Sequence, residues 1–494
     1  MLSTSDKLPT ELYTSAEVRA LDAAVIAKHG VPGIQLMLRA SRVLFATLAS
    51  EWPHCNTIQL FCGKGNNAGD AYLLAALAKE RGYSVALWQV GPAPASGDAL
   101  LACERAKAAG VEAKSWNGEL PAAGVIVDGL LGTGLSGEVR PAFAEAIAAI
   151  NASELPVLAV DVPSGLCADT GCALGEAVSA DVSLSFIGLK RGLFTADAKN
   201  HCGKILFSDL QAPPDIIDEL PVTVRRLALQ EEIRALPPRR RTAHKGHFGH
   251  VVVVGGDRGM GGAAILAVTA AARSGAGLVS CATRAEHIPA LLAIRPEVMA
   301  LAAESAEQLD PLLEKATVIV VGPGLGQSVW GRYVLTRVLA TSCAKIIDAD
   351  ALNLIAEGEL RWTDGDVIIT PHPGEAARLL QCSTADIHHD RYAAALALRE
   401  RYQATVVLKG AGTIVADEQG MAVCSDGNPG MASGGMGDVL SGVLGALLAQ
   451  GLSTSEAARL SVCVHACAAD RAALQGERGL LASDVTDQLR ALLN

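Results

Sequence analysis

Short runs of valine and isoleucine alternate along this chain with longer amphipathic stretches rich in alanine and leucine. Such alternation is typical of βαβ units, which build parallel sheets. In the first half the pattern predicts strands at residues 57–61, 84–89, 124–127, 157–160 and 182–186. In the second half it predicts strands at residues 250–254, 317–321, 345–347, 367–369 and 405–408. The fold class is therefore α/β, with one wound sheet in each half.

A segment in which this strand-and-helix pattern is weaker, residues 211–241, separates the two halves. It contains two Pro-Pro pairs and the run Arg239-Arg240-Arg241, which we interpret as a solvated linker. We place the boundary within residues 214–230. This gives a first domain at residues 1–215, a linker at 216–230 and a second domain at 231–494. A length of 494 residues also exceeds the usual size of a domain with one hydrophobic core.

Composition narrows the class of protein further. The formal net charge of −11 argues against a general nucleic-acid binder. No apolar run reaches the roughly 18 residues that a membrane-spanning helix needs, so we expect no membrane association. The 12 cysteines are scattered without a C-x-x-C pair, which favours a reducing compartment. We therefore expect a cytoplasmic protein that acts on small molecules.

Polar and glycine-rich segments follow three predicted strands of the first half. Strand 57–61 leads into Cys62-Gly63-Lys64-Gly65-Asn66-Asn67-Ala68-Gly69-Asp70, strand 124–127 into Asp128-Gly129-Leu130-Leu131-Gly132-Thr133-Gly134-Leu135-Ser136-Gly137-Glu138, and strand 157–160 into Asp161-Val162-Pro163-Ser164-Gly165. Ligands of wound parallel sheets bind outside the carboxyl ends of the strands, so these loops predict one shared crevice.

The glycines at 63 and 65 superficially match a dinucleotide fingerprint. That fingerprint requires an acid about 20 residues further on, at the end of the next strand, to hold the ribose. The next strand here ends Trp88-Gln89-Val90-Gly91, without an acid. A conventional Rossmann dehydrogenase is therefore disfavoured.

Three side chains of these loops offer oxygen atoms that a hard cation prefers: Asn67, Asp128 and Ser164. Each of them is also a common turn former. The residues alone leave both interpretations open.

The NNxGD element, the DGLLGTGLSGE loop and the DVPSG turn resemble the NAD(P)H-hydrate epimerases. The resemblance implies a Rossmann-like αβα sandwich that interconverts the R and S forms of hydrated NADH or NADPH. It implies that Asn67, Asp128 and Ser164 hold K⁺. Our hypothesis for the acid that shuttles a proton is Asp161. The residues that would contact the hydrate are Asn66, Asn67, Ala68, Gly69, Asp70, Gly132, Thr133, Gly134, Leu135, Ser136, Gly137, Glu138 and Asp161.

The second half contains a glycine-rich turn that ends in a carboxylate and leads directly into an apolar helical run. This turn is Gly434-Gly435-Met436-Gly437-Asp438. The N–H groups at a helix start bind anions. Asp438 would therefore lie beside a bound phosphate, where it would act as a general base. An N-cap role for Asp438 is the alternative. Neither a Walker loop nor a G-x-S-x-G elbow is present.

Further strand-end motifs, GPGLG, TPHPGE and KGAGT, accompany this turn. Together they resemble the ADP/ATP-dependent NAD(P)H-hydrate dehydratases, which have a ribokinase-like αβα sandwich. The resemblance implies that Asp438 activates the C6 hydroxyl of the S hydrate for attack on ADP or ATP, supplied with Mg²⁺, and that phosphate is then eliminated. Hydrate contacts would be Ala263, Gly326, His372 and Asp438, and nucleotide contacts Lys409, Gly410, Ala411, Gly412, Thr413 and Gly437.

Two rival functions stay open at this point. One is a small-molecule kinase of the ribokinase class, which the Asp438 turn alone does not distinguish from a dehydratase. The other is a non-catalytic nucleotide-binding or scaffold role for the first half, which Asp128 and Asp161 in one crevice disfavour. We expect a homo-oligomer with NADHX, NADPHX and ADP or ATP as its small-molecule substrates.

Overall fold

The computed structural model describes residues 8–119, 123–213, 216, 222–358, 360–362 and 365–494. The chain divides into two compact units, a first unit at Met1–Arg225 and a second unit at Arg226–Asn494. Within the predicted linker 216–230, residues 217–221 lie outside the described residues. The solvated-linker interpretation does not hold for residues 224–227, because they form a strand in which Val224 and Leu227 are buried. The limits of the predicted domains otherwise stay a prediction.

The first unit contains a seven-stranded sheet in which every strand pair is parallel. Its order is β4-β3-β2-β5-β6-β7-β9, and the short strand β1 pairs with β8 and β10. The strands are β1 (Glu11–Tyr13), β2 (Thr57–Cys62), β3 (Ser84–Gln89), β4 (Ala113–Ser115), β5 (Val125–Gly129), β6 (Val157–Val160), β7 (Val182–Phe186), β8 (Leu189–Lys190), β9 (Lys204–Ser208) and β10 (Val224–Leu227).

Helices cover both faces of this sheet. They are α1 (Ser15–His29), α2 (Gly33–Glu51), α3 (Asn66–Glu80), α4 (Gly97–Ala108), α5 (Pro141–Ala152) and α6 (Ala198–His201). Ile58 and Leu60 of β2 pack in a core with α1–α4, whereas Phe61 packs in a second core with Phe143 and Ile147 of α5. Successive strand residues point to opposite faces, so strands buried on both sides read as continuous apolar runs.

The second unit has a sheet that is parallel from β13 to β17, in the order β13-β12-β11-β14-β15-β16-β17, and is extended by the antiparallel strands β18 and β19. Its strands are β11 (His250–Val254), β12 (Leu278–Thr283), β13 (Met299–Ala302), β14 (Val318–Val321), β15 (Ala344–Ile347), β16 (Val367–Ile369), β17 (Thr405–Leu408), β18 (Thr413–Asp417) and β19 (Gly420–Cys424).

The helices of the second unit fill the connections between these strands. They are α7 (Leu229–Glu232), α8 (Gly261–Arg273), α9 (Ile288–Ile294), α10 (Asp310–Leu313), α11 (Val329–Leu339), α12 (Ala349–Ala356), α13 (Pro373–Leu380), α14 (Thr384–His389), α15 (Arg391–Tyr402), α16 (Met436–Ala449), α17 (Thr454–Ala473) and α18 (Ala482–Leu492). Val251 and Val253 of β11 pack in one core with α8, α16, α17 and α18. Helix α16 is almost entirely buried, which fixes its first turn relative to the sheet.

The α/β class and the two wound sheets predicted from the sequence are confirmed. All ten predicted strands exist, and their ends differ from the prediction by at most two residues. Among the described helices, none is both long enough and apolar enough to cross a membrane.

A matched pair of valine substitutions tests this core. Val253 is fully buried in β11, whereas the Val329 side chain at the start of α11 is 86% exposed. We expect Val253→Ala to lower the free energy of unfolding by about 2 kcal/mol, because it removes buried methyl groups and leaves a cavity. Val329→Ala should stay within about 0.5 kcal/mol of the parent. Thermal unfolding followed by circular dichroism measures both, and equal losses would contradict the assigned burial.

Candidate active sites

The loops after three neighbouring strands of the first unit, β2, β5 and β6, lie together at the carboxyl edge of its sheet. They contribute to a cavity of about 540 Å³. Gly69 and Gly137 belong to the same loops but do not line this cavity. The residues singled out from the sequence that do line it are Asn66, Asn67, Ala68, Asp70, Gly132, Thr133, Gly134, Leu135, Ser136, Glu138 and Asp161.

Close packing between two of these loops explains why residue 132 is a glycine. A Cβ atom at Gly132 would lie 2.3 Å from Oδ1 of Asn67, a distance that real side chains do not adopt. The Asn67 side-chain amide donates to the carbonyl oxygens of Val160, at 2.6 Å, and Leu131, at 3.4 Å. Asn67 therefore ties the loops after β5 and β6 to the start of α3.

Asp161 is held in place by a buried lysine that the sequence analysis did not single out. Its Oδ1 atom accepts from Lys190 Nζ, from Ser185 Oγ at 3.1 Å and from the Phe186 amide at 3.1 Å. Lys190, on β8, is 1% exposed. Asp161 also has a left-handed backbone, with φ of 68°. Only the pairing of β8 in the folded chain reveals this ion pair, so no local signal marked Lys190.

The three predicted cation ligands of the first unit lie around one point. Asp128 is fully buried and accepts from Ser164 Oγ at 2.5 Å and from the Ser164 amide at 2.7 Å. Ser164 Oγ and the Asn67 amide both approach the Leu131 carbonyl oxygen. Burial raises the pKa of the Asp128 carboxyl to about 6, against the effect of its hydrogen bonds from Ser164. The described residues contain no group of three or more His, Cys, Asp or Glu side chains suited to a metal ion.

In the second unit, Asp438 occupies the first turn of α16 but does not cap it. Gly435 is the N-cap residue, in a left-handed conformation with φ of 89°, and no side chain caps this helix. The pKa of the Asp438 carboxyl is raised to about 7, chiefly by burial and then by the negative charge of Asp348, while Lys409 acts in the opposite direction. The carboxyl is thus poised to exchange a proton near neutral pH.

Lys409, which follows β17, forms an ion pair with Asp348, which follows β15. The Lys409 Nζ to Asp348 Oδ1 distance is 2.6 Å, and Glu375 Oε2 lies 3.8 Å from the same ammonium. Asp348 Oδ2 accepts from Ser441 Oγ of α16 at 2.8 Å. Burial acts to raise the pKa of Asp348, but Lys409 and these hydrogen bonds hold it below its usual range.

The glycine-rich loop after β17 is shaped by Arg391, another residue that the sequence analysis missed. Arg391 is 2% exposed, and its Nη2 atom donates to the carbonyl oxygens of Leu408, Lys409 and Gly412. A Cβ atom at Gly410 would lie 2.7 Å from Arg391 Nη1, and the φ of Gly410 is 139°. Thr413 Oγ1 closes the loop by donating to the Gly410 carbonyl at 3.1 Å. Ala411 lies between these two glycines.

His372 is the N-cap residue of α13. Its Nδ1 atom accepts from the Gly374 amide at 3.0 Å and the Glu375 amide at 3.3 Å. Burial, and then the positive charges of Lys409 and Arg378, lower the pKa of His372, in agreement with a neutral ring that accepts at Nδ1. The Nε2 atom lies 3.3 Å from Glu375 Oε1.

The remaining predicted residues lie close to this network. The amide of Gly326 donates to Asp350 Oδ2 at 2.9 Å, and Asp350 is one of the charges that raise the pKa of Asp438. Ala263 is in the first turn of α8, and a Cβ at Gly324 would lie 3.1 Å from the Ala263 Cβ. A Cβ at Gly437 would lie 3.3 Å from Lys409 Nζ.

Two family profiles match the chain, one in each unit. The profile described as YjeF-related protein N-terminus matches residues 33–192, and the profile described as NAD(P)H-hydrate dehydratase matches residues 251–491. A ribokinase-like superfamily protein from Enterococcus faecalis V583 superposes with a TM-score of 0.53 at 30% sequence identity, covering 56% of this chain and 96% of that chain. The second unit is therefore a ribokinase-like domain, as the motifs predicted.

Full-length relatives define the family of the whole chain. The bifunctional NAD(P)H-hydrate repair enzyme of Coxiella burnetii is 46% identical over 494 residues, covering 98% of this chain and all of the relative. The enzyme of the same name from Escherichia coli is 41% identical over 491 residues, covering 99% of this chain and 95% of the relative. The chain belongs to the bifunctional NAD(P)H-hydrate repair enzymes, which join an epimerase domain to a dehydratase domain.

Two glycines of one loop test the close packing in the first unit. We expect Gly132→Ala to destabilise the first unit by about 1–3 kcal/mol, because its methyl group would collide with Asn67. A Cβ at Gly134 would have no neighbour within 4 Å, and Gly134 has no positive φ. Gly134→Ala should therefore leave the unfolding temperature unchanged. Calorimetry of the two variants decides the matter, and equal unfolding temperatures would contradict the packing.

Proposed function

We propose that the two units repair hydrated nicotinamide cofactors in sequence at two separate sites. The first would interconvert the R and S forms of NADHX and NADPHX, and the second would return the S form to NADH or NADPH at the expense of ADP or ATP. The observation that carries the proposal is the state of Asp438. It is a largely buried carboxyl with a pKa near 7, at a helix N-terminus beside a lysine.

The second site has the parts that phosphoryl transfer needs. Asp438 would accept the proton of the C6 hydroxyl, whose oxygen then attacks the terminal phosphoryl group of the nucleotide. The N–H groups at the start of α16 would stabilise the charge that develops on the phosphoryl oxygens. The nucleotide would enter together with Mg²⁺. Phosphate is then expelled as the ring-nitrogen lone pair forms a C6=N bond. Loss of a proton from C5 forms the C5=C6 bond, returns the electron pair to nitrogen and restores the dihydropyridine.

The proposed contacts in the second site are those that the family resemblance implies. Ala263, Gly326, His372 and Asp438 would hold the S hydrate. The loop that Arg391 fixes would hold the nucleotide, through Lys409, Gly410, Ala411, Gly412 and Thr413, with Gly437 from α16. The lysine is already paired with Asp348, so it would meet the phosphates as part of that ion pair.

In the first site we propose that the cavity of about 540 Å³ binds the hydrate. The contacting residues would be Asn66, Asn67, Ala68, Gly69, Asp70, Gly132, Thr133, Gly134, Leu135, Ser136, Gly137, Glu138 and Asp161. Loss of the C6 hydroxyl gives a cation that the ring nitrogen stabilises, and return of water inverts the centre. As an acid of this cavity, Asp161 is a candidate for exchanging the proton or for balancing the cation.

A potassium ion at Asn67, Asp128 and Ser164 is part of the proposal for the first site. The donors are a carboxylate, an amide, a hydroxyl and the main-chain carbonyls of Leu131 and Val160, all of them oxygen-bearing groups that suit a hard cation. A cation would also balance the buried charge of Asp128. When bound, it would orient the loops after β5 and β6.

Other properties of the chain stay proposals of the same kind. We propose a cytoplasmic homo-oligomer whose partners are the small-molecule substrates. The domain limits would be residues 1–215 and 231–494, joined by 216–230. A small-molecule kinase is the rival for the second unit. It would consume ADP or ATP without restoring the absorbance of NADH.

Replacement of Asp438 by asparagine tests the general base. Asp438→Asn keeps the size of the side chain but removes the basic oxygen, so we expect NADH recovery to fall about 10²–10⁴-fold. Interconversion of R and S in the same protein should continue. Asp484 is an exposed acid at the equivalent position in the first turn of α18, which makes Asp484→Asn a matched control with unchanged recovery. Recovery by Asp438→Asn within a few-fold of the parent would contradict the base assignment.

The pH dependence of the dehydratase reaction follows from the same carboxyl. A base works in its ionised form, and the pKa of Asp438 is raised to about 7. We therefore expect the rate at saturating S hydrate and ADP to be constant above about pH 8 and to fall about tenfold per unit below pH 7. Stopped assays between pH 5.5 and 9 measure this profile. A rate that stays flat down to pH 5.5 would contradict it.

Asp128→Ala tests the cation site. We expect weaker binding of the hydrate to the first unit and slower interconversion, with no rescue by added KCl, because the charged ligand is missing. Titration of the parent protein with KCl after exhaustive exchange into a choline buffer should restore its activity. An Asp128→Ala protein that interconverts R and S at the parent rate would leave Asp128 as a turn residue only.

Separate fragments test the division of labour between the units. Each unit has its own core, so a cut near residues 213–220 should give two fragments that fold alone. The first fragment should equilibrate R and S without nucleotide. The second, with ADP and Mg²⁺, should consume S and stop with R remaining, and a mixture should convert both. If the second fragment consumed both isomers at equal rates, the first unit would have no catalytic task.

A further inference from the structure

Two carboxyl groups of the first cavity have no hydrogen-bond partner. Asp22 of α1 and Asp70 of α3 both line the cavity, and neither accepts a hydrogen bond from any residue that the structure describes. Asp70 is only 8% exposed. A buried carboxyl without a partner is costly, so these oxygens are available to a ligand.

The same cavity contains a carboxylate that is already engaged. Asp161 is paired with the buried ammonium of Lys190 and accepts two further hydrogen bonds. Lys190 is buried and depends on Asp161 for its counter-charge. Asp161 is therefore suited to balance a cationic intermediate.

Asp22 and Asp70 are electrostatically coupled to this pair. Burial raises the pKa of Asp22 to about 6, with Asp161 adding to the shift and Lys190 opposing it. Burial also raises the pKa of Asp70 well above its usual value, and the charges of Asp161 and Asp22 act in the same direction. Both raised pKa values thus belong to carboxyl groups that share the cavity with the ion-paired Asp161.

On these grounds, and resting on the proposed epimerisation in the first unit, we propose that Asp22 is a catalytic residue that exchanges the proton of the C6 hydroxyl. Asp161 balances the cationic intermediate. Asp22 lies on α1, before the matched family segment at residues 33–192.

The proton and electron balance of this step closes without any co-reactant. In the first half, the C6–O bond breaks, the hydroxyl leaves as water with the Asp22 proton, and the ring-nitrogen lone pair forms a C=N bond. In the second half, water attacks the other face of C6 and the electron pair returns to nitrogen. The surplus proton of that water returns to Asp22. The product differs from the substrate only in the configuration of C6.

The test uses the full-length protein and isolated R hydrate of NADH, without nucleotide. We expect Asp22→Asn to lower the rate of R-to-S conversion about 10²-fold or more, with KM within a few-fold of the parent. Incorporation of ¹⁸O from labelled water at C6 should slow by the same factor. Asp22→Glu should restore part of the rate. Recovery of NADH from the S hydrate with ADP should be unchanged in each variant, and an unchanged unfolding temperature of the first unit verifies its folding.

An acid outside the cavity provides the matched control. Glu104 of α4 is exposed and does not line the cavity. Glu104→Gln should convert R to S within about threefold of the parent. An Asp22→Asn rate within threefold of the parent, or an equal loss in Glu104→Gln, would overturn the inference. A parent protein that did not interconvert R and S would instead contradict the proposed function of the first unit.

Discussion

A lysine that neutralises a buried aspartate at the carboxyl edge of a parallel sheet is the interaction on which both sites depend. Lys190 pairs with Asp161 after β6, and Lys409 pairs with Asp348 after β15. Removing both charges from water is costly, and the cost is offset only when the geometry is good and further hydrogen bonds complete the shell. Ser185 and the Phe186 amide do so in the first unit, and Ser441 does so in the second.

Each pair leaves other carboxyl groups of the same site without a counter-charge. In the second unit Asp348 forms the ion pair with Lys409. Burial, and then the charge of Asp348, raises the pKa of Asp438 to about 7. In the first unit Asp161 forms the ion pair with Lys190. Burial, and then the charge of Asp161, raises the pKa values of Asp22 and Asp70. Both chemistries require a group that exchanges a proton near neutral pH, and burial provides it, with the charge of the paired aspartate acting in the same direction.

Features that depend on residues close together along the chain were predictable from the sequence. Continuous Val/Ile runs marked strands buried on both faces, and the loops that follow them marked the edges where the sites lie. Asp438 illustrates the limit, since capping and catalysis both explain an acid at a helix start, and only the structure assigns the N-cap to Gly435. Lys190 and Arg391 escaped prediction because their partners lie 29 residues away, at Asp161, and 17–21 residues away, at Leu408, Lys409 and Gly412. Strand 224–227 was missed because it lies between the two Pro-Pro pairs that suggested a linker.

The path of one oxygen atom tests the central claim about the second site most directly. If the C6 oxygen attacks the nucleotide and then leaves with the phosphoryl group, S hydrate labelled with ¹⁸O at C6 should give inorganic phosphate that contains the label. One labelled phosphate should form for each NADH recovered, and mass spectrometry of the phosphate measures this ratio. Label found in water instead, with unlabelled phosphate, would show that dehydration and nucleotide hydrolysis are separate events and would contradict the account.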